Sequence, residues 1–336
     1  MRLTIENTRY TPYIVTNKKM YDVTNALVTI GTSEEEKQIA ESMSLGLIDV
    51  DVDGEKLSNL VSLGHRLILR VSDGKKVGNI FKGYVWTMSP KESLTASEFT
   101  IQAYDQLIYW QESEDSLFFE AGSKTSSIVK RVSDRWKIKY IYDYEDITHD
   151  QTVLRGAIAD FMTADVLDTV KNRTGKSYVM RDESGSVAIR AVGTNKTIYT
   201  IDSAQNAIEL RRYRTINGVI NSVIIISTSG DDEKARVEAT SLNMNSIMDY
   251  GTLKKIIIRS DIAKLADCMK EANNIISKKS SPRWEYDIKA ADIPWIRKGD
   301  AVNVMIDTLK GIFIVKSISR DISNRGSIMT LTLVDK

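Results

Sequence analysis

Gly64-His65-Arg66-Leu67-Ile68-Leu69-Arg70-Val71-Ser72-Asp73-Gly74 opens the stretch that decides the fold. Leu67, Leu69 and Val71 fall on one face of an extended chain, because side chains alternate along a strand. Ser72-Asp73-Gly74 then supplies a turn in which glycine takes the positive φ that tight hairpins need. Ile80-Phe81-Lys82-Gly83-Tyr84-Val85-Trp86-Thr87-Met88 follows, rich in the β-branched and aromatic types that suit a pleated surface. Phe99-Thr100-Ile101-Gln102-Ala103-Tyr104 completes a three-stranded meander. Upstream, Met43, Leu45 and Leu47 alternate on odd positions while Ile48, Val50 and Val52 alternate on even ones. This change of parity predicts a β-bulge, which bends a sheet toward closure.

The same plan recurs near the C-terminus. Gly299-Asp300-Ala301-Val302-Asn303-Val304 matches the glycine-led first strand, Gly311-Ile312-Phe313-Ile314-Val315 matches Phe81 to Val85, and Met329-Thr330-Leu331-Thr332-Leu333 matches Phe99 to Ala103. Identity is low, so the repeat is one of pattern: a strand, a turn, a strand and a final alternating strand.

Between the repeats the character changes. Ser126 to Val132 has helical spacing after capping-type residues, and Lys137 to Tyr142 reads as extended. A second helix is predicted to start near Thr163, with Val166, Leu167 and Val170 on one face, Asp165 in the first turn and Gly175 as its C-terminal cap. Ser177 to Arg181, a turn at Glu183-Ser184-Gly185 and Val187 to Ala191 form a hairpin. Further on, Ile208 to Tyr213 and Val219 to Ile226 read as strands joined by an Asn217-Gly218 hairpin turn, with Arg236 to Thr240 a third. An amphipathic helix near 261–277, capped by Ser260 or Asp261, carries Ile262, Leu265, Met269, Ala272 and Ile276 on one stripe. The expected fold is mainly β with an α+β insert. Two related β-barrel domains, 1–110 and 207–336, flank a small α/β middle domain, 111–206.

Composition narrows the function. The chain has 336 residues, with 46 Lys+Arg against 45 Asp+Glu and a formal net charge of +1. A free-standing nucleic-acid binder usually carries a basic excess, so no specific nucleic-acid binding is expected. No apolar run approaches the ~20 residues of a membrane span. Met1 to Asn7 lacks the apolar stretch of a signal peptide, so synthesis and folding in the cytoplasm are expected. Cys268 is the single cysteine, which rules out an internal disulfide and a thiolate zinc site. Its helically spaced apolar neighbours place it in a core.

Candidate chemistry is thin. Thr174-Gly175-Lys176-Ser177 ends like a phosphate loop, but Val170 stands where the first glycine is required and the motif follows a helix. His65 and His149 are the two histidines, neither beside a nucleophile elbow, and both read as surface or turn residues. Glu34-Glu35-Glu36 after Ser33 reads as a capped, solvated turn or helix start. Asp49, Asp51 and Asp53 lack the remaining oxygen ligands of a calcium loop and read as a solvated strand face. Trp86, Trp110, Trp136, Trp284 and Trp295 read as core or interface packing. Asn172 and Asn195 head glycosylation triplets that mean nothing without secretion. No catalytic, cofactor-binding or metal-binding residue is assigned, and no cofactor is expected.

The meander around Phe81-Lys82-Gly83-Tyr84-Val85, closing on Ala103-Tyr104-Asp105-Gln106-Leu107-Ile108-Tyr109-Trp110, resembles the XkdQ/YqbQ family of baseplate hub proteins. Members occur in contractile phage tails, defective prophages and phage-tail-like bacteriocins. Thr174 to Tyr178 before a hairpin and Ile296-Arg297-Lys298-Gly299-Asp300-Ala301-Val302 before the last strands fit the same layout. The resemblance implies two tube-type barrels per subunit and a homotrimer with pseudo-sixfold symmetry. It implies a tail tube protein on one face and a spike protein on the other, with other baseplate and LysM-type tail proteins nearby. It implies location in a virion or tail-like particle, and it carries no catalytic signature. The alternatives are a carbohydrate or cell-surface binding module of a tail, and a cell-wall hydrolase.

Overall fold

The computed structural model describes residues 8–17, 19–92, 97–143, 145–227, 236–259, 265–323 and 326–336. The meander read from the sequence forms as Arg66–Ser72, Val77–Glu92 and Ser97–Tyr104, all antiparallel. Ser97–Tyr104 then pairs with Ser42–Ile48, which pairs with Leu27–Glu34. Ile30, Leu45, Leu69, Val85 and Ile101 turn inward to one apolar core. Burial of such side chains, about 25 cal/mol per Å² of apolar surface, is what fixes the register.

The second half repeats the arrangement. Ala301–Ile306, Leu309–Ser323 and Gly326–Asp335 form the meander, followed in the sheet by Arg283–Ala291 and Ala207–Thr215. Strand order and direction are the same in the two sets of five. Irregularities coincide as well: the register shifts at Trp86 in one long strand and at Lys316 in the other, and at Val28 and Ile208 in the first strands of each set. The flanks differ. Arg9–Val15 runs antiparallel to Arg66–Ser72, whereas Tyr199–Asp202 runs parallel to Ala301–Ile306.

Each long strand outruns the strand before it. Val77–Glu92 pairs with Arg66–Ser72 only as far as Tyr84, and Leu309–Ser323 pairs with Ala301–Ile306 only as far as Ile314. In the second half the overhang lies against the first half, with Ile318 opposite Glu34, Arg320 opposite Thr32 and Ile322 opposite Ile30. The two halves therefore share one 13-stranded ladder among the described residues. Hydrogen-bonded pairing among those residues closes neither half on itself; each half curls around its own core instead.

Two α+β units ride on this ladder. In the first, Thr125–Arg135 and a helical run from Ile158 to Thr174 pack on the hairpin Tyr178–Asp182/Val187–Ala191 and on Glu114–Phe119/Thr152–Ala157 around a separate core. The helix predicted from Thr163 begins earlier, at Ile158, and is π-wound over Phe161–Leu167. Gly175 closes it in the left-handed region at φ 78°, so the phosphate-loop look-alike is a helix cap. The second unit corrects the hairpin expected at Asn217-Gly218. The turn exists, but Ala207–Thr215 pairs with Arg283–Ala291, and Ser222–Ser227 belongs to a separate three-stranded sheet with Arg236–Leu242 and Lys254–Arg259. Leu265–Lys279 covers that sheet, with Cys268, Ala272 and Ile276 buried against Val223 and Ile225. The caps proposed at Ser260 and Asp261 lie outside the described residues. The bulge expected at the 47/48 parity change is a strand end: Ser42–Ile48 stops, and Asp51–Val52 turns back onto Glu55–Lys56.

Candidate functional site

The point where the halves meet gathers most of the buried charged side chains among the described residues. The segment between Arg283–Ala291 and Ala301–Ile306 reaches across the seam. Arg297 Nε donates to Glu34 Oε1 at 2.6 Å, while its Nη2 donates to Glu34 Oε2 at 3.1 Å and Glu41 Oε2 at 3.0 Å. Lys298 Nζ donates to the carbonyls of Glu35 and Gln38 at 2.9 and 2.6 Å. Trp295 Nε1 donates to Asp73 Oδ2 at 2.7 Å, and the Lys76 ammonium sits 3.9 Å from the Trp295 ring. Arg320 Nε donates to Asp292 Oδ1 at 3.0 Å, and Tyr10 donates to the other oxygen of the same carboxylate. The middle unit joins through Arg181, whose Nη1 donates to Asp300 Oδ1 at 2.8 Å, and through Gln106, which donates to Asp182 Oδ2 at 2.5 Å.

Charges taken out of water must be balanced or neutralised. Glu34, Glu41, Asp105 and Asp182 gather around Arg297 and Lys298, so acids outnumber bases. Burial lifts the Glu34 carboxyl, but Arg297 and then Lys298 outweigh it and hold the group down at about 2. Burial dominates at Glu41, which is pushed up to about 8 with Arg297 opposing and Glu34 and Asp105 reinforcing. Asp105 is pushed up to about 7 by burial and by the Asp182 charge, against hydrogen bonds from the Glu41 and Leu107 N–H groups. Glu34 is ionised against the arginine, Glu41 is held toward its protonated form at neutral pH, and Asp105 is drawn in the same direction. This is the pattern of a lock, with every charge occupied by the protein itself. Among the described residues no group of three or more His, Cys, Asp or Glu has the geometry to hold a metal ion.

Of the residues singled out in the sequence, Glu34 and Trp295 lie in this cluster and the others fall elsewhere, and two readings are corrected. Glu34 is not a solvated turn residue: it ends a strand, only 2% exposed, on the inward face shared with Ile30 and Thr32. His149 is likewise buried, sharing a 2.8 Å hydrogen bond with Thr125 Oγ1, and burial with the Arg173 charge draws it down to about 4. His65 does not lie at an edge, because its strand pairs on both sides. Its Nδ1 accepts the Ser62 N–H at 3.1 Å, as Asp300 Oδ2 accepts the Arg297 N–H at 3.0 Å in the second half. The two turns match further: Gly64 and Gly299 have φ of 81° and 86° and donate to Val85 O and Val315 O respectively. Asp49 binds the Ser58 N–H and hydroxyl, Asp51 pairs with Lys56 and Asp53 with Lys19. Lys176 pairs with Glu145 at the surface, and Asn195 exchanges hydrogen bonds with the Ala301 backbone. Trp110 is fully buried, whereas Trp86 and Trp284 are 40% and 47% exposed. Sequence reading missed Arg297, Glu41 and Arg320. The inward parity of Ile30, Thr32 and Glu34 was the available signal for their partner.

This fold is shared with solved tail proteins. A tail protein from Neisseria meningitidis MC58 superposes with a TM-score of 0.69 at 13% identity, covering 97% of each chain. The Escherichia coli c3393 protein, a type VI secretion component described as similar in structure to the T4 tail proteins gp27 and gp5, superposes with a TM-score of 0.57 at 7% identity, covering 98% of this chain and 76% of its own. The chain belongs to the YQBQ-like family, whose model matches residues 30–334. It is 21% identical over 325 residues to the phage-like element PBSX protein XkdQ of Bacillus subtilis, covering 92% of this chain and 93% of that protein.

Proposed function

We propose that this chain is a structural baseplate hub: a homotrimer with pseudo-sixfold symmetry that joins a sixfold tail tube to a threefold spike in a contractile tail. The observation that carries the reading is the duplicated set of five strands with coincident bulges and glycine turns. A threefold ring offers six similar contacts only if each subunit supplies two, and an internal duplication does so. Closed cyclic symmetry also keeps a head-to-tail contact from growing into a filament. Family membership and the likeness to tail-protein folds support the same role. The role is architectural and not enzymatic, since His65, His149, Cys268 and Lys176 serve a turn, two cores and a surface ion pair. Tube, spike and LysM-type tail proteins are the partners this reading names, and the baseplate of the particle is its location.

Copy number within assembled tails is the test, by quantitative mass spectrometry against the tube protein or by imaging. Three copies per baseplate are expected. Six copies, or one, would remove the need for a duplicated subunit and overturn the assignment.

A further inference from the structure

The internal seam has a donor and an acceptor, and the duplication leaves a second copy of each unused. The donor is the overhang of a long strand, and the acceptor is the outer edge of the first strand of the other half. Inside the chain, Ile318 to Ile322 lie on Leu27–Glu34. The equivalent donor is the end of Val77–Glu92 beyond the Trp86 bulge, and the equivalent acceptor is Ala207–Thr215, which ends the ladder among the described residues. Thr87, Ser89 and Pro90 are exposed, as are Arg211, Arg212 and Arg214.

Backbone polarity suits the pairing. The Ala291 N–H donates to Asn206 O, so by alternation the N–H and C=O groups of residues 210, 212 and 214 point away from the sheet, unpaired. On the donor side the Asp105 N–H donates to Glu41 O, which by the same alternation turns residues 88, 90 and 92 outward. Pro90 therefore costs the inner ladder nothing, and to a strand added outside it offers only its carbonyl, so that ladder rests on the N–H and C=O groups of residues 88 and 92 and on the acceptor's own N–H groups. Unsatisfied edges of this kind are templates for strand addition.

The matched bulges fix the register. Val315 corresponds to Val85 and Lys316 to Trp86, while Ile208 corresponds to Val28, which makes Arg214 the counterpart of Glu34. We propose that in the ring Met88–Glu92 of one subunit adds as an antiparallel strand to Leu210–Arg214 of the next, with Met88 opposite Arg214, Ser89 opposite Tyr213 and Pro90 opposite Arg212. The occupant is a second copy of this chain, and the inference rests on the hub reading.

Side chains at the two seams are exchanged in kind. Internally, Arg297 of the glycine turn meets Glu34 and Glu41, Lys298 meets the Glu35 and Gln38 carbonyls, and bulged Lys316 meets Glu36 at 2.9 Å. Their counterparts are Ser62 and Leu63 against Arg214 and Trp284, and Trp86 against Ile216. Leu63, Trp86, Ile216 and Trp284 are 64%, 40%, 45% and 47% exposed, a large apolar outlay for a subunit that stays alone. The Arg214 guanidinium already lies 5.7 Å from the Trp284 ring. An aromatic and apolar contact is open to association from water, where a buried ion cluster would first have to be desolvated.

The experiment is disulfide trapping in assembled tails. Ser89→Cys with Tyr213→Cys places thiols at a facing pair, and native Cys268 is buried. Oxidation is expected to link subunits up to covalent trimers, at least tenfold more than Ser89→Cys with Glu209→Cys, which is four residues out of register. A separate variant, Arg212→Pro, removes an outward N–H without touching the inner ladder; it is expected to keep the circular dichroism of the wild type and to lower incorporation into tails at least tenfold. Three copies per baseplate with no preferential Ser89–Tyr213 link would overturn the strand addition and leave the hub reading standing. The link forming in a ring of another copy number would uphold the strand addition and overturn the trimer.

Discussion

The overhangs of the two long strands have the same backbone and opposite surroundings. Ser317 to Ser323 lies in a seam beside a fully satisfied ionic cluster, with Arg320 and Ile322 buried. Thr87, Ser89 and Pro90 are exposed, next to a Trp86 that is itself 40% exposed. A seam formed once, during folding of a single chain, can hold desolvated charges because nothing has to bring them together again. A seam formed between chains has to assemble and is better served by apolar area and free backbone groups. The difference teaches which of two related contacts is permanent.

The largest expected effect breaks the permanent seam. Arg297→Ala leaves the ionised Glu34 buried without its cation, so a loss of about 3–5 kcal/mol in chemical denaturation is expected. Ser62→Ala at the corresponding turn is expected to change stability by less than about 0.5 kcal/mol. Equal effects would mean that the turns are not in unlike surroundings.

The paired glycines sharpen the same point. Both need positive φ, but a Cβ on Gly299 would stand 2.5 Å from Val179 Cγ1, whereas one on Gly64 meets nothing within 4 Å. Gly64→Ala should cost only the left-handed strain, about 1 kcal/mol. Gly299→Ala should cost roughly 3 kcal/mol, because overpacking is added to that strain. Thermal melts of the two variants provide the comparison.

The protonated acids give the seam a pH dependence. Glu41 titrates near 4.5 when unfolded and at about 8 when folded, so between those values the folded chain holds a proton that the unfolded chain has lost. Its contribution to stability is full below pH 4.5 and is lost as pH rises toward 8. Glu34 runs the other way, with stability present above pH 4.5 and lost as pH falls toward 2. Glu41→Gln is therefore expected to melt progressively higher than the wild type as pH is raised from 5 to 8. A constant difference across that range would mean that Glu41 is ionised throughout.

The smallest effects concern the bulges. Lys316→Met gives up pairs with Glu285 at 2.7 Å and Glu36 at 2.9 Å, yet Arg283 still serves Glu285, so about 1 kcal/mol is expected. Trp86→Ala forfeits edge contacts with Tyr104 and Tyr109 and should cost the folded subunit no more than about 1 kcal/mol. Its incorporation into tails should fall far more than that of Lys316→Met, as read from particle composition. The reverse ranking would assign the free overhang to some other contact.

Much of this was legible in the residues. Alternation located both meanders, and the pattern match of Gly64 with Gly299, Val85 with Val315 and Ala103 with Leu333 is the match that the strand pairing makes. Helical spacing placed Cys268 in a core and Gly175 at a helix end, because these features depend on neighbours a few positions away. Strand partners were less visible. A turn such as Asn217-Gly218 states that the chain reverses, and only the competition among apolar faces states which sheet each arm joins. The burial of Glu41 and His149 was invisible for the same reason, and that of Glu34 was signalled only by its parity with Ile30 and Thr32: a carboxyl or imidazole in a polar stretch looks solvated until a distant residue covers it. Arg297 lies 263 positions from Glu34, and Tyr10 lies 282 from Asp292. By itself the sequence determined the repeating strands, the turns and the helical inserts, which follow from local periodicity and backbone preference. The tertiary structure alone decided that one overhang is sealed by buried charge while its twin is left open, because register over such separations is set by packing and desolvation.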